Sequence, residues 1–428
     1  MAVWTYFFPK NQSPLNGDYN LSLADYIGET GVTYNSSTTK QAIYDLDNGL
    51  QVKVLGSGFS FDSQKDPISG TVTSLQLQTK SGTVFQTISG LNLSFADLSD
   101  ATQAYDSWGF QEWLTKGNDT ITGSAGGDDM YGFNGNDVMQ GGAGDDYMEG
   151  GSGKDSYDGG TGWDTISFQD SYYNRDSLRG IVLDAAAGTV TDQYGNKETF
   201  KNIEGFRGTI FADVMTGSSR DETFMGLGGK DTIDGKGGFD MVTYHRDVRR
   251  GAESGVTVDL TKGTAIDGFG KTDKLTSIEG ARGSELADTL LGSAGDNFLR
   301  GDEGNDLLSG RGGNDTLLGG AGRDSFLFDV APNGGSNRDV IQDFIVADDT
   351  IRLENAVFKV FTKTGVLAAG EFVINASGKA VDSNDHIIYQ ASSGNIYYDA
   401  DGANGTAAVL FATVSANLKM TAADFLIV

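Results

Sequence analysis

The sequence predicts an all-β fold, a parallel β-roll or β-helix solenoid with acidic turns, set between a small N-terminal β domain and a β-rich C-terminal region. Three observations predict it. Aspartate recurs every nine residues in three arrays. Glycine is abundant at 62 of 428 residues while proline is rare at 4, which suits repeated tight turns and neither collagen nor a proline-rich linker. The formal charge is −28, so the compact state must have its carboxylates neutralised.

Residues 1–95 read as the N-terminal β domain. Segments 50–55 (LQVKVL) and 70–77 (GTVTSLQL) alternate apolar and polar residues, as half-buried strands do, and DLDNG at 45–49 breaks between strands. The domain is expected to cap the solenoid. Residues 96–116 form a helical cap or linker. Leu98, Ala101, Tyr105 and Trp108 fall at helical spacing and predict one imperfect helix, with Gly109 weakening its second half.

The first array covers 117–168. Asp119, Asp128, Asp137, Asp146, Asp155 and Asp164 recur at intervals of nine. Gly117, Gly126, Gly135, Gly144, Gly153 and Gly162 precede them by two, and Ile121, Met130, Met139, Met148, Tyr157 and Ile166 follow by two. The unit is plain in GGAGDDYME and GGSGKDSYD, a calcium β-helix nonapeptide. A second array over 213–243 holds Asp213, Glu222, Asp231 and Asp240, with Gly229 and Gly238. A third over 288–328 holds Asp288, Asn297, Asp306, Asp315 and Asp324, with Gly295, Gly304, Gly313 and Gly322. Glu222 and Asn297 replace aspartate, and Arg220 stands at a glycine position, which predicts weak or empty sites there.

Inserts over 169–212 and 244–287 separate the arrays. They match each other at one constant offset, which carries Ile181 onto Val256, and are expected to be larger coils of the same solenoid. Residues 329–428 read as strands and turns and end in AADFLIV.

The repeat dictates a chemistry. Glycines let the chain turn within about six residues and expose backbone carbonyls. The aspartate adds a carboxylate, and the apolar residue two positions later starts a strand and points inward. Two nonapeptides make one coil, so acids two repeats apart share an edge, Asp119 above Asp137 and Asp128 above Asp146. Stacked turns can supply the six to eight oxygens that calcium takes at about 2.3–2.6 Å, whereas magnesium prefers a tighter octahedron. Stacked carboxylates repel without a cation, and strands this short bury little apolar surface, so metal binding should be coupled to folding. At the roughly 10⁻⁴–10⁻³ M affinity of extracellular modules, the chain stays unfolded in a calcium-poor cytosol.

Composition also excludes. No cysteine is present, so disulfides and thiolate metal sites are out. His245 and His386 are the two histidines, too few for a multi-histidine centre, and NDHIIYQ reads His386 as a strand-edge residue. The acidic balance argues against nucleic acid. No apolar run approaches a membrane span of about 20 residues. MAVWTYFFPKNQSP does not read as a cleaved signal peptide.

On its nonapeptides, the chain resembles the RTX family of bacterial proteins exported by type I secretion, over roughly residues 110–428. The resemblance implies calcium as cofactor, the type I machinery as a partner, and a secreted location, with DFLIV as an uncleaved C-terminal signal. Family members include toxins, proteases, lipases, epimerases, adhesins and polysaccharide-degrading enzymes, so modules do not set activity. Neither HExxH nor GxSxG occurs, which leaves zinc proteolysis and lipase action unsupported. The modular layout is similar to RTX-type exopolysaccharide glycanases secreted by root-nodule bacteria.

One motif departs from the repeat. Tyr173, Arg175, Asp176 and Arg179 are echoed in the second duplicated unit by Tyr244, Arg246, Asp247 and Arg250, with His245 and Arg249 beside them. As a glycan site, Arg175, Arg179, Arg246, Arg249 and Arg250 would bind uronate carboxylates bidentately. Tyr244, His245 and Arg246, with Tyr173 and Arg175 as a second copy, have the residue types of a polysaccharide lyase. As a structural element, the same residues form Arg–Asp pairs that hold each insert. The function expected is a calcium-binding protein of the cell surface or matrix with an acidic extracellular polysaccharide as partner; the alternative is a calcium-dependent lyase or glycanase.

Overall fold

A computed structural model of the chain describes residues 3–6, 32–46, 49–104, 107–169, 179–403 and 405–428. They fall into two compact units, Met1–Arg207 and Gly208–Val428.

The first unit opens with strands β1 (Val3–Tyr6), β2 (Val32–Ser37), β3 (Gln41–Leu46), β4 (Leu50–Phe61), β5 (Pro67–Thr79) and β6 (Val84–Ser94). From β2 to β6 each strand pairs antiparallel with the next. The alternation read from the sequence fixes the inner face: Val52, Val54, Leu75, Leu77 and Ile88 are buried. β1 pairs antiparallel to β6 and parallel to residues Thr120–Thr122, so one strand joins this sheet to the first coil. The single expected helix is two, α1 (Phe95–Ala104) and α2 (Ser107–Leu114). α1 buries Phe95, Leu98 and Ala101, and the Phe95 ring lies 4.4 Å from that of Phe59. Gly109 sits inside α2, whose Phe110 and Leu114 are buried. Tyr105 lies outside the described residues.

The first array then coils as two facing sets of short parallel strands. Ile121, Met139, Tyr157 and Phe200 stack in register on one side. Met130, Met148, Ile166 and Phe206 stack on the other. One coil is therefore two nonapeptides, and each three-residue strand turns its middle side chain inward, as in Ile121 of Thr120–Thr122. Full burial of such a side chain contributes about 1.5–3 kcal/mol. The first insert forms a meander, Val182–Asp184, Thr189–Thr191 and Lys197–Lys201, whose last strand rejoins the stack beside Tyr157. It is an enlarged coil.

In the second unit, Met215, Ile233 and Leu275 stack in one column. Val258, Leu290, Leu308, Phe326, Ile351 and Phe425 form a longer one. The second insert repeats the first in the same alignment, with strands Thr257–Asp259, Thr264–Ile266 and Thr272–Thr276. Even the turns correspond: Asp192 accepts from the Tyr194 and Asn196 amides, and Asp267 from the Phe269 and Lys271 amides. The apolar tail is built into the sheet, with Phe425–Ile427 parallel to Thr350–Leu353 behind a capping box of Thr421 and Asp424. Among the described residues no helix is long and apolar enough to cross a membrane.

Candidate metal centre

The turns place the acids of the arrays in ladders. The Asp119 amide donates to Asp137 Oδ1 at 2.6 Å, Asp128 to Asp146 at 2.8 Å, Asp137 to Asp155 at 2.7 Å and Asp146 to Asp164 at 2.9 Å. In the second unit Asp213 donates to Asp231, Glu222 to Asp240, Asp288 to Asp306, Asn297 to Asp315 and Asp306 to Asp324, all at 2.7–2.9 Å. Acids two repeats apart are thus stacked, each holding the coil before it through one carboxylate oxygen.

The other oxygen is the one that matters chemically. Oδ2 of Asp137, Asp146, Asp155, Asp164, Asp231, Asp240, Asp306, Asp315 and Asp324 is buried with no hydrogen-bond partner. An orphaned buried carboxylate oxygen costs several kcal/mol unless a cation or proton meets it. Each faces the glycine that opens its turn. A Cβ on Gly132 would lie 2.5 Å from Asp137 Oδ2 and 2.7 Å from the carbonyl oxygen of Gly150, one coil on. Acidic and carbonyl oxygens therefore converge on a space that only a glycine leaves open. The glycine at the fourth turn position is constrained differently: Gly153 has φ 142°, and a Cβ there would clash with the Gly135 carbonyl oxygen. This donor set is all oxygen, the kind a hard cation takes, and the residues fit calcium. Each turn offers one carboxylate together with main-chain oxygens, and among the described residues no cluster of three or more His, Asp or Glu side chains forms a cage.

The electrostatics agree. Burial pushes Asp137 up to about 8, with the carboxylates of Asp155 and Asp119 adding to the push and the Asp119 amide opposing it. Asp306 is pushed up to about 8 and Asp240 to about 7, burial again the largest cause. Protein groups alone do not neutralise these acids.

Several ladder acids lie outside the nonapeptides and were missed by the nine-residue period. Glu204 accepts from the Asp164 amide at 3.1 Å and Glu279 from Asp240 at 3.0 Å. Asp273, Asp339 and Asp349 accept from Asp231, Asp315 and Asp324. The signal was present in the duplication, where Glu198 aligns with Asp273 and Glu204 with Glu279. Among the predicted glycines, Gly126 and Gly295 do not take the positive φ found at the equivalent Gly135, Gly144 and Gly304.

The arginine-rich motif meets a different fate. Tyr173 and Arg175 lie outside the described residues. Tyr244 is 1% exposed, so it does not meet a sugar as the lyase reading requires. Its hydroxyl donates to Asp273 Oδ2 at 3.1 Å, and burial raises the phenol well above its ordinary range, the reverse of what proton transfer needs. Tyr157 makes the matching bond to Glu198 in the first insert. His245 Nδ1 is 2.8 Å from the Thr243 hydroxyl. Arg249 pairs with Glu285 at 2.8 Å, and Arg179 donates to the Tyr194 carbonyl at 3.3 Å. Arg246 and Arg250 are half-buried. His386 is buried, its Nδ1 2.8 Å from the Asp399 carbonyl oxygen.

A search of curated proteins found no significant match. Among solved structures, the extracellular lipase LipA from Serratia marcescens is similar at 18% identity and a TM-score of 0.20. The similarity covers 73% of this chain and 40% of the lipase, so the chain spans well under half of that protein. The RTX calcium-binding nonapeptide repeat (4 copies) matches residues 115–132, 131–166, 207–242, 282–317 and 291–326, which are the turns that carry the acid ladders. The three arrays are therefore RTX repeats, and such repeats bind calcium ions.

Proposed function

We propose that this is an exported protein whose RTX arrays take up several calcium ions and fold as they do so outside the cell, where the folded chain acts as a structural or interaction protein of the surface or matrix. The carrying observation is the set of buried Oδ2 atoms that have no protein donor, joined at Asp137, Asp146, Asp164, Asp240 and Asp306 by a carbonyl oxygen of the next coil beside the same glycine. Asp137, Asp146, Asp155, Asp164, Asp231, Asp240, Asp306, Asp315 and Asp324 would hold the metal with backbone carbonyls of their turns. Calcium supplies the positive charge that stacked acids need at neutral pH. The DFLIV segment would serve as the export signal, read before folding buries Phe425 and Ile427. Size-exclusion chromatography tests this reading. The hydrodynamic radius should contract sharply when millimolar calcium is added to chelated protein, and an unchanged radius would refute it.

Nothing in the geometry favours a lyase built on Tyr244, since that side chain is in the core. An acidic polysaccharide, if bound, would be met by Arg246, Arg249 and Arg250 instead.

A further inference from the structure

The turns of the arrays differ at the residue that follows their opening glycine. In one set that residue is Ser or Thr: Ser124, Thr209, Ser218, Ser284 and Ser293. Its amide donates to the acid or amide side chain four residues on, as Thr209 does to Asp213 Oδ2 at 2.7 Å and Ser284 to Asp288 Oδ2 at 2.6 Å. The corresponding bonds join Ser124 to Asp128, Ser218 to Glu222 and Ser293 to Asn297. Its hydroxyl accepts the amide two residues further, at Gly126, Phe211, Arg220, Leu286 and Gly295. None of those five residues has positive φ.

The other set is the reverse in each respect. The second residue has positive φ, whether glycine, as at Gly142 and Gly320, or not, as at Leu227 (66°), Lys236 (72°), Asp302 (78°) and Arg311 (66°). The fourth residue is a glycine, also at positive φ, as at Gly144, Gly229 and Gly304. The acid keeps its orphaned Oδ2. A left-handed backbone at a non-glycine residue is a strained conformation, and within the array turns it recurs only where the acid is left open.

We propose that the residue after the opening glycine sorts the turns: a left-handed residue makes a calcium turn, while Ser or Thr makes a self-closed turn that takes no calcium. This rests on the calcium reading above. A self-closed turn already spends its side-chain oxygen on the Ser or Thr amide, and in the Thr209, Ser218, Ser284 and Ser293 turns on the hydroxyl as well, so positive ends of donors point where a cation would sit. Position adds a consequence. The self-closed turns come first in the second and third arrays, at Asp213 and Glu222 and again at Asp288 and Asn297. Each of these arrays thus begins on a coil that needs no metal and can template the calcium coils that follow.

Equilibrium dialysis of the full chain against calcium, with bound metal counted by atomic absorption at saturation, tests the sorting. Asp288→Asn and Asp213→Asn should leave the count at its wild-type value, whereas Asp306→Asn and Asp231→Asn should lower it by about one ion or more. Ser124→Gly should raise the count by about one, because Gly126 already stands at the fourth position of that turn, and adding Asp128→Asn to it should remove the gain. Because that variant adds a site, a folding failure cannot imitate its expected result. Equal losses at Asp288 and Asp306, or no gain with Ser124→Gly, would overturn the sorting. No loss at any of the four acids would instead overturn the reading of the turns as calcium sites.

Discussion

Replacing Gly132 with alanine sets two physical effects of opposite sign against each other. Gly132 is not at positive φ, so its backbone accepts an L-residue. Gly→Ala at such a position ordinarily stabilises by about 0.4–1 kcal/mol, because the unfolded chain loses freedom. Here the new methyl would sit 2.5 Å from Asp137 Oδ2 and 2.7 Å from the Gly150 carbonyl oxygen, in the space where those oxygens converge. Overpacking of a fixed site costs about 1–3 kcal/mol, so the net expectation is a loss. The same free energy taken from calcium binding weakens it by about 5- to 150-fold. Gly237→Ala is the control, since it also lacks positive φ and its Cβ would meet nothing within 4 Å. Calcium titrations followed by circular dichroism, with urea midpoints at saturating calcium, read both quantities. If Gly132→Ala bound calcium as tightly as Gly237→Ala and were no less stable, the converging oxygens would not be a binding space.

Further outcomes follow from the same geometry. Leu308 is fully buried between Leu290 and Phe326, so Leu308→Ala should cost about 2–5 kcal/mol in urea unfolding at fixed calcium. Leu307→Ala, at the neighbouring half-buried position, should cost clearly less; equal losses would refute the assigned inward face. The turn acids have folded values raised above the unfolded carboxylate, so their contribution to stability is full below about pH 4 and is lost as pH rises through about 7–8. Chelated protein should therefore gain β structure on acidification from pH 8 to about 5.5. Equal disorder at both values would show that these carboxylates do not limit folding.

Much of this was legible because the repeat is strict. A period of nine with the apolar residue two after each acid fixes a coil of two nonapeptides, and the column of Ile121, Met139 and Tyr157 is its direct consequence. The duplicated segments from Ile181 and Val256 likewise foretold matching inserts. Three features escaped for physical reasons. Glu204, Glu279, Asp339 and Asp349 continue the ladders from enlarged coils, where the chain takes a different length to reach the same place. The role of Ser284 and its equivalents depends on a backbone amide turning toward a carboxylate, which periodicity does not encode. Tyr244 carries a polar handle on an apolar body, and its basic sequence neighbours suggested a glycan site; Asp273, from the insert's last strand, accepts from its hydroxyl in the core.

At neutral pH, acids stacked coil on coil should order only around divalent ions. Far-ultraviolet circular dichroism of the whole chain at pH 7.5, recorded in excess chelator and again in millimolar calcium, addresses it most directly. A large gain of β signal on adding calcium, with little response to magnesium, is the predicted result. An identical β-rich spectrum in chelator and in calcium would contradict it.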